Sequence, residues 1–142
     1  DLIIDTTGEE SLSIWLHEFF NDKETLVIST WVRGRGEAVE AFVHKNKNNG
    51  CHQCFRLSNS RIKYSGREFP LRGSCGSVYV PFSISESLYA SLLTMEIINK
   101  WLDGSLDSNF FRQNLKPISE IEALKIEKEE KCTVCGTNYI ME

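Results

Sequence analysis

The sequence predicts an α/β fold, a mixed sheet with helices and a metal-stapled tail, on three observations. An apolar run, an amphipathic helical pattern and a second apolar run follow one another over residues 1–32, the order of a parallel βαβ unit. A short connection holding Gly34 and Gly36 then joins two β-rich runs, the pattern of a hairpin. Four of the five cysteines form two Cys-x-x-Cys pairs, Cys51/Cys54 and Cys132/Cys135, the usual source of a four-sulfur metal site.

In chain order, Leu2-Ile3-Ile4 reads as a short strand covered on both faces. Thr7 and Glu10 fit a capping box, and Leu12, Trp15, Leu16, Phe19 and Phe20 follow at helical spacing, which predicts an amphipathic helix over about 9–21. Leu26 to Val32 is the second strand and Glu37 to His44 the third. Lys45 to Gly50 is a polar turn. From Cys51 to about Val80 periodicity is weak and Gly66, Pro70, Gly73 and Gly76 interrupt it, so the stretch reads as a long functional loop. Ser83 and Glu86 make a second capping box ahead of a helix with two apolar stripes, one through Ile84, Leu88, Leu92, Met95, Ile98 and Leu102, the other through Tyr89, Leu93, Ile97 and Trp101. Apolar on most of its circumference, it is expected to be largely buried, with Gly104 as its stop. Phe110-Phe111 reads as the anchor of a following turn, and Ala123 to Glu127 as a last short strand.

Composition narrows the function. Sixteen basic against twenty acidic residues give a net charge of -4, which disfavours non-specific nucleic-acid binding. Apolar runs are too short for a membrane span, and no signal segment opens the chain. Starting on Asp1 rather than Met, the sequence reads as a piece of a longer, cytoplasmic protein. In a reducing compartment, metal binding outranks disulfides.

Three groups carry chemistry. Cys51, Cys54, Cys132 and Cys135 offer four thiolates to a tetrahedral zinc, tying the tail to the body; a redox dithiol or unrelated thiols are the alternatives. His52, between two of these cysteines, is expected to be exposed. Asp5, at the carboxyl end of the first strand, occupies the edge where open α/β sheets hold ligands and is placed to hold magnesium and nucleotide phosphates, or simply begins a loop. Cys75, in Arg72-Gly73-Ser74-Cys75-Gly76-Ser77, is a nucleophile or an inert thiol. His17 and His44 are expected at the surface or an edge, Arg33 and Arg35 in solvent.

Taken together, Asp-Leu-Ile-Ile-Asp-Thr-Thr (1–7), the Trp31-Val32 hairpin, Cys51-x-x-Cys54, the Ser-Cys-Gly-Ser-Val-Tyr-Val-Pro-Phe stretch (74–82), the helix behind it and Cys132-x-x-Cys135-Gly136 resemble the C-terminal half of a ThiF/MoeB-type adenylyltransferase, the superfamily of ubiquitin-activating enzymes. The nearest resemblance is to a bacterial branch in which the activating domain is fused behind a ubiquitin-conjugating-like domain, as in antiphage conjugation systems. The resemblance implies the C-terminal half of a ThiF-like Rossmann-type domain, laid out as βαβ and hairpin (1–44), zinc knuckle and crossover loop (51–80), buried helix (83–103) and tail with the second knuckle (104–142). It implies MgATP as the substrate that activates a small protein's C-terminal carboxylate, Asp5 as a magnesium and ATP organiser, Cys75 as the thiol that captures the acyl group, and the four paired cysteines as a structural zinc site. Implied partners are a small carrier or ubiquitin-like protein, a conjugating-like domain in the same parent chain, and a second copy in a homodimer. No glycine-rich nucleotide loop lies in these residues, so the piece alone is expected to be inactive. A non-catalytic zinc-stapled binding module and a sulfur-carrier activator are the competing functions.

Overall fold

The computed structural model describes residues 1–45, 48–58, 71–72, 78–79 and 82–136. The elements are β1 (Leu2–Asp5), α1 (Glu10–Phe19), β2 (Leu26–Arg33), β3 (Ala38–His44), α2 (His52–Leu57), β4 (Leu71–Arg72), β5 (Val78–Tyr79), α3 (Ile84–Leu102), β6 (Phe110–Asn114) and β7 (Glu122–Leu124). A five-stranded sheet runs β1-β2-β3-β6-β7, and β4-β5 form a separate antiparallel ribbon. The β1–β2 pair is parallel and the other main-sheet pairs are antiparallel, so the sheet is mixed, as the sequence predicts.

Alternation along the strands sorts side chains onto two faces. On one, Ile28, Val39, Ala41, Val43 and Phe111 pack with Leu93 and Ile97 of α3. On the other, Phe42 and Phe110 pack with Phe55 and the cysteines. Phe110 and Phe111 are therefore strand residues that serve opposite faces, rather than a turn anchor.

Several expectations change. β1 is a half-buried edge strand with Ile4 exposed, because β2 covers one side only. The first capping box does not form. The Asp5 carboxylate takes the Thr7 hydroxyl at 2.7 Å, and Thr7 Oγ1 instead accepts the Glu9 N–H. Helix α1 buries Ser13 and His17, leaving Leu12, Trp15 and Phe19 exposed. In α3 the Leu93/Ile97 stripe is buried on the sheet, with Thr94 and the part-buried Ile98 beside it; Ile84, Leu88, Leu92, Met95 and Leu102 are exposed, so the helix is not largely buried. Its Ser83/Glu86 capping box is present, with the Ser83 N–H donating to Glu86 Oε2 at 2.8 Å. The stretch read as loop contains α2, and Cys75 lies outside the described residues. Among the described residues no helix is long and apolar enough to cross a membrane.

Candidate functional site

A cleft of about 680 Å³ opens at the carboxyl ends of β1 and β2. Its walls are the β1–α1 loop from Thr6 to Glu9, the end of β2 from Thr30 to Gly34, and Ser87, Ala90, Ser91 and Thr94 of α3. The parallel β1–β2 pair places its strand ends and the loop together, the usual ligand edge of an open sheet. Small residues on that face of α3 leave the space. The Thr30 and Thr94 hydroxyls bond at 2.8 Å, fixing α3 to the cleft wall.

Asp5 sits at the base of the loop, buried. Its Oδ1 accepts the Thr7 N–H at 3.0 Å and the Thr7 hydroxyl, and its Oδ2 accepts the Ser13 hydroxyl at 2.6 Å. Burial alone would raise its pKa, but the hydrogen bonds from Ser13 and Thr7 outweigh burial and hold it below the usual carboxylate value. Asp5 is thus an anionic anchor for the β1–α1 loop. Sequence reading missed Ser13, which sits off the apolar stripe and carries no local signal.

On the opposite face, the four paired cysteines converge. Their sulfurs all lie within 4.8 Å of one another, with Cys51–Cys132 at 3.5 Å, Cys54–Cys135 at 3.3 Å and Cys51–Cys54 at 3.9 Å. A tetrahedral ion with Zn–S bonds near 2.3 Å separates its sulfurs by roughly 3.8 Å. The donor set and spacing therefore fit a four-sulfur metal site. Backbone N–H groups of Glu129 and Val134 point at Cys54 and Cys132 sulfurs, both at 3.4 Å, as thiolates require. Hydrogen bonds from Cys51, Glu129 N–H and Cys135 overcome burial and pull the Cys54 thiol down to about 4. Cys51, which donates to Cys54, is pushed up, and burial first, then the Cys54 contact, raises Cys135 to about 11.

Two further residues make this convergence. Buried Asn109 donates from Nδ2 to the Gly50 and Ile126 carbonyls at 3.1 and 3.0 Å, and its Oδ1 accepts the Ile126 N–H at 2.6 Å. It brackets the chain entering the first pair to the chain approaching the second. Gly136 closes the second knuckle: a Cβ there would stand 2.4 Å from the Cys132 carbonyl oxygen, so only glycine fits.

The histidines expected at the surface or an edge lie inside. His17, His44 and His52 are all buried. The His17 ring centroid lies 5.4 Å from His44 and 5.5 Å from His52, and its Nε2 is 3.3 Å from Ser29 Oγ. Desolvation, then repulsion from His52 and His44, lowers the His17 pKa well below 6.5; desolvation lowers that of His44. The register sets Trp31, Glu40, Arg112 and Glu122 side by side across four strands. Trp31 Nε1–H donates to Glu40 Oε2 at 2.9 Å, and Arg112 Nε–H to Glu40 Oε1 at 2.8 Å. Arg33 is half-buried at the cleft wall rather than free in solvent, whereas Arg35 is exposed as expected.

No protein-family model matches the chain. The sequence is 36% identical over 109 residues to the ATP-dependent ubiquitin transferase-like protein Cap2 of Pseudomonas aeruginosa, covering 73% of this chain and 20% of that protein. Crystal structures of MccB from E. coli share the fold. One without a named ligand superposes with a TM-score of 0.65 at 12% identity, covering 100% of this chain and 41% of that one. The structure with ATP gives 0.60 at 15%, covering 96% and 39%. The chain belongs to the ThiF-like superfamily. It spans about a fifth of the length of Cap2 and about two fifths of MccB. In this ThiF-like chain the cleft and the thiol cluster lie on opposite faces of the mixed sheet.

Proposed function

We propose that this chain is the carboxyl-terminal half of an ATP-dependent activating domain. In the whole protein, that domain adenylates the C-terminal carboxylate of a ubiquitin-like or other small carrier protein and hands the acyl group to a cysteine. The observation that carries the reading is the cleft at the β1–β2 carboxyl edge with an ionised Asp5 beneath its loop. The likeness to Cap2, named as ATP-dependent and ubiquitin transferase-like, supports it, as do MccB structures solved with ATP and with MccA.

In this reading ATP supplies the phosphorus that makes the carboxylate a good electrophile. Asp5 is the carboxylate that helps anchor magnesium, with Thr7 and Ser13 fixing its orientation. Cys75 is the acceptor thiol. Its sulfur forms a bond to the acyl carbon, the acyl–phosphate bond breaks, and AMP leaves with that electron pair. Cys51, Cys54, Cys132 and Cys135 hold a structural zinc that clamps the tail. The partners are the carrier protein, a conjugating-like domain of the same parent chain, as in the bacterial fused branch, and a second copy of the protein.

The test is ATP–pyrophosphate exchange. It is expected in a longer form carrying an upstream glycine-rich loop, and not in the 142-residue chain. In the longer form Asp5→Asn should lower exchange by roughly 100-fold. Cys75→Ala should leave exchange intact and abolish the thiol-sensitive complex with the carrier. Exchange indifferent to Asp5→Asn removes the nucleotide assignment, and a carrier complex that survives Cys75→Ala removes the acceptor assignment.

A further inference from the structure

The thiol cluster and the cleft are joined by one stack of rings. His52 stands between the two cysteines of the first pair, and its buried ring lies near-parallel to two others. Trp31 is 5.4 Å away at 11° and Phe42 is 5.4 Å away at 8°. Phe42 is fully buried in the sheet and cannot yield. Trp31 is half-buried and lines the cleft. Its indole edge is fixed through Glu40 to Arg112, while its face is set by the His52 ring.

The position of His52 is in turn set by the knuckle. Cys51 is the N-cap of the six-residue α2, and its carbonyl accepts the Phe55 N–H at 3.1 Å. A helix this short has little stability of its own. Its packing and the cluster's common grip on both pairs hold it in place.

We propose that His52 is a positioning residue that transmits the state of the four-thiol cluster to the cleft by setting the plane of Trp31. With a cation gripped by all four sulfurs, α2 is anchored at Cys51 and Cys54 and the three-ring stack is closed. When the cation leaves, the knuckle loses its shared anchor, His52 shifts and the Trp31 face loosens. Linkage makes the effect reciprocal: truncating Trp31 weakens metal binding, although the indole is not a ligand. The inference rests on the metal reading of the cluster.

The experiment uses the whole chain in a Trp15→Phe/Trp101→Phe background, which leaves Trp31 as its sole indole. Trp31 emission is followed while zinc is removed with a chelator and returned, and zinc affinity is measured by competition with a chromophoric chelator. Zinc removal should red-shift the emission reversibly. His52→Ala should lower zinc affinity roughly 10-fold and abolish the emission response. His52→Phe, which restores a planar ring, should recover both. Trp31→Ala, in the otherwise unaltered chain, should lower zinc affinity about 5-fold, and Trp15→Ala, on the exposed face of α1, should not change it. Zinc bound with Trp31 emission indifferent to it, or a His52→Phe variant that recovers nothing, overturns the coupling and leaves the metal site standing. A chain that takes up no zinc overturns both.

Discussion

The Glu40–Arg112 pair offers a quantitative test of how the sheet holds the cleft's aromatic wall. Both side chains are almost wholly shielded, at 2% and 3% exposure, with Arg112 Nε 2.8 Å from Glu40 Oε1. Arg112→Met would leave the Glu40 carboxylate buried with the Trp31 N–H as its remaining observed hydrogen-bond donor. Breaking such a pair from one side costs about 3–5 kcal/mol, most of it the penalty of an uncompensated buried charge. Glu40→Gln should cost less, about 2 kcal/mol. The amide oxygen can still accept from Trp31, and Arg112 keeps the half-exposed Glu122 at 3.9 Å. The double variant removes both charges while conserving volume, so it should fall within about 1 kcal/mol of the parent chain. Equilibrium urea unfolding reads all three. With a slope of roughly 2 kcal/mol per molar, Arg112→Met should lower the midpoint by about 2 M. Single-variant losses that simply add in the double variant, or an Arg112→Met loss under about 1 kcal/mol, would refute the reasoning that these charges are coupled through burial.

Three further outcomes follow from the same geometry. Cys132→Ser should abolish a zinc content of one ion per chain, measured by elemental analysis, and lower the unfolding midpoint; unchanged metal content would dissolve the clamp. Because burial and its histidine neighbours hold the folded-state pKa of His17 well below 6.5, the unfolded chain takes up the proton first. The stability contributed by keeping His17 neutral is thus complete above that value and drains away as pH falls below it. Unfolding midpoints between pH 7.5 and 5 should decline, and His17→Phe should flatten the slope. Gly36 has φ +81°, and an added Cβ would stand 2.5 Å from Glu86 Cγ. Gly36→Ala should therefore cost about 1–2 kcal/mol in urea unfolding, and an indifferent variant would mean the hairpin turn can relax.

Residues close in sequence made much of the fold legible. The βαβ order, the hairpin around Gly34 and Gly36 and the Ser83/Glu86 cap rest on periodicities and contacts spanning a few positions. The two Cys-x-x-Cys pairs announce a shared ligand set whatever lies between them. Asp5 was legible as an acid at a strand's end, although its work of ordering Thr7 and Ser13 was not.

Other features depend on the arrangement in space. A helix with two apolar stripes does not say which one meets the sheet, and in α3 the Leu93/Ile97 stripe packs while the Leu88/Leu92 stripe stays exposed. Isolated histidines carry no pattern, so burial of His17, His44 and His52 appears only once α1, α2 and the sheet close around them. Asn109 brackets segments 59 and 17 residues away, and the Trp31–Glu40–Arg112 row exists only through the register of three strands. By itself the sequence determined the βαβ order, the hairpin, the cap of α3 and which atoms can grip a metal, because backbone preference and donor chemistry are local. Only the tertiary structure decided which faces are buried and how thiols, rings and cleft are joined, because those depend on desolvation and packing between residues far apart along the chain.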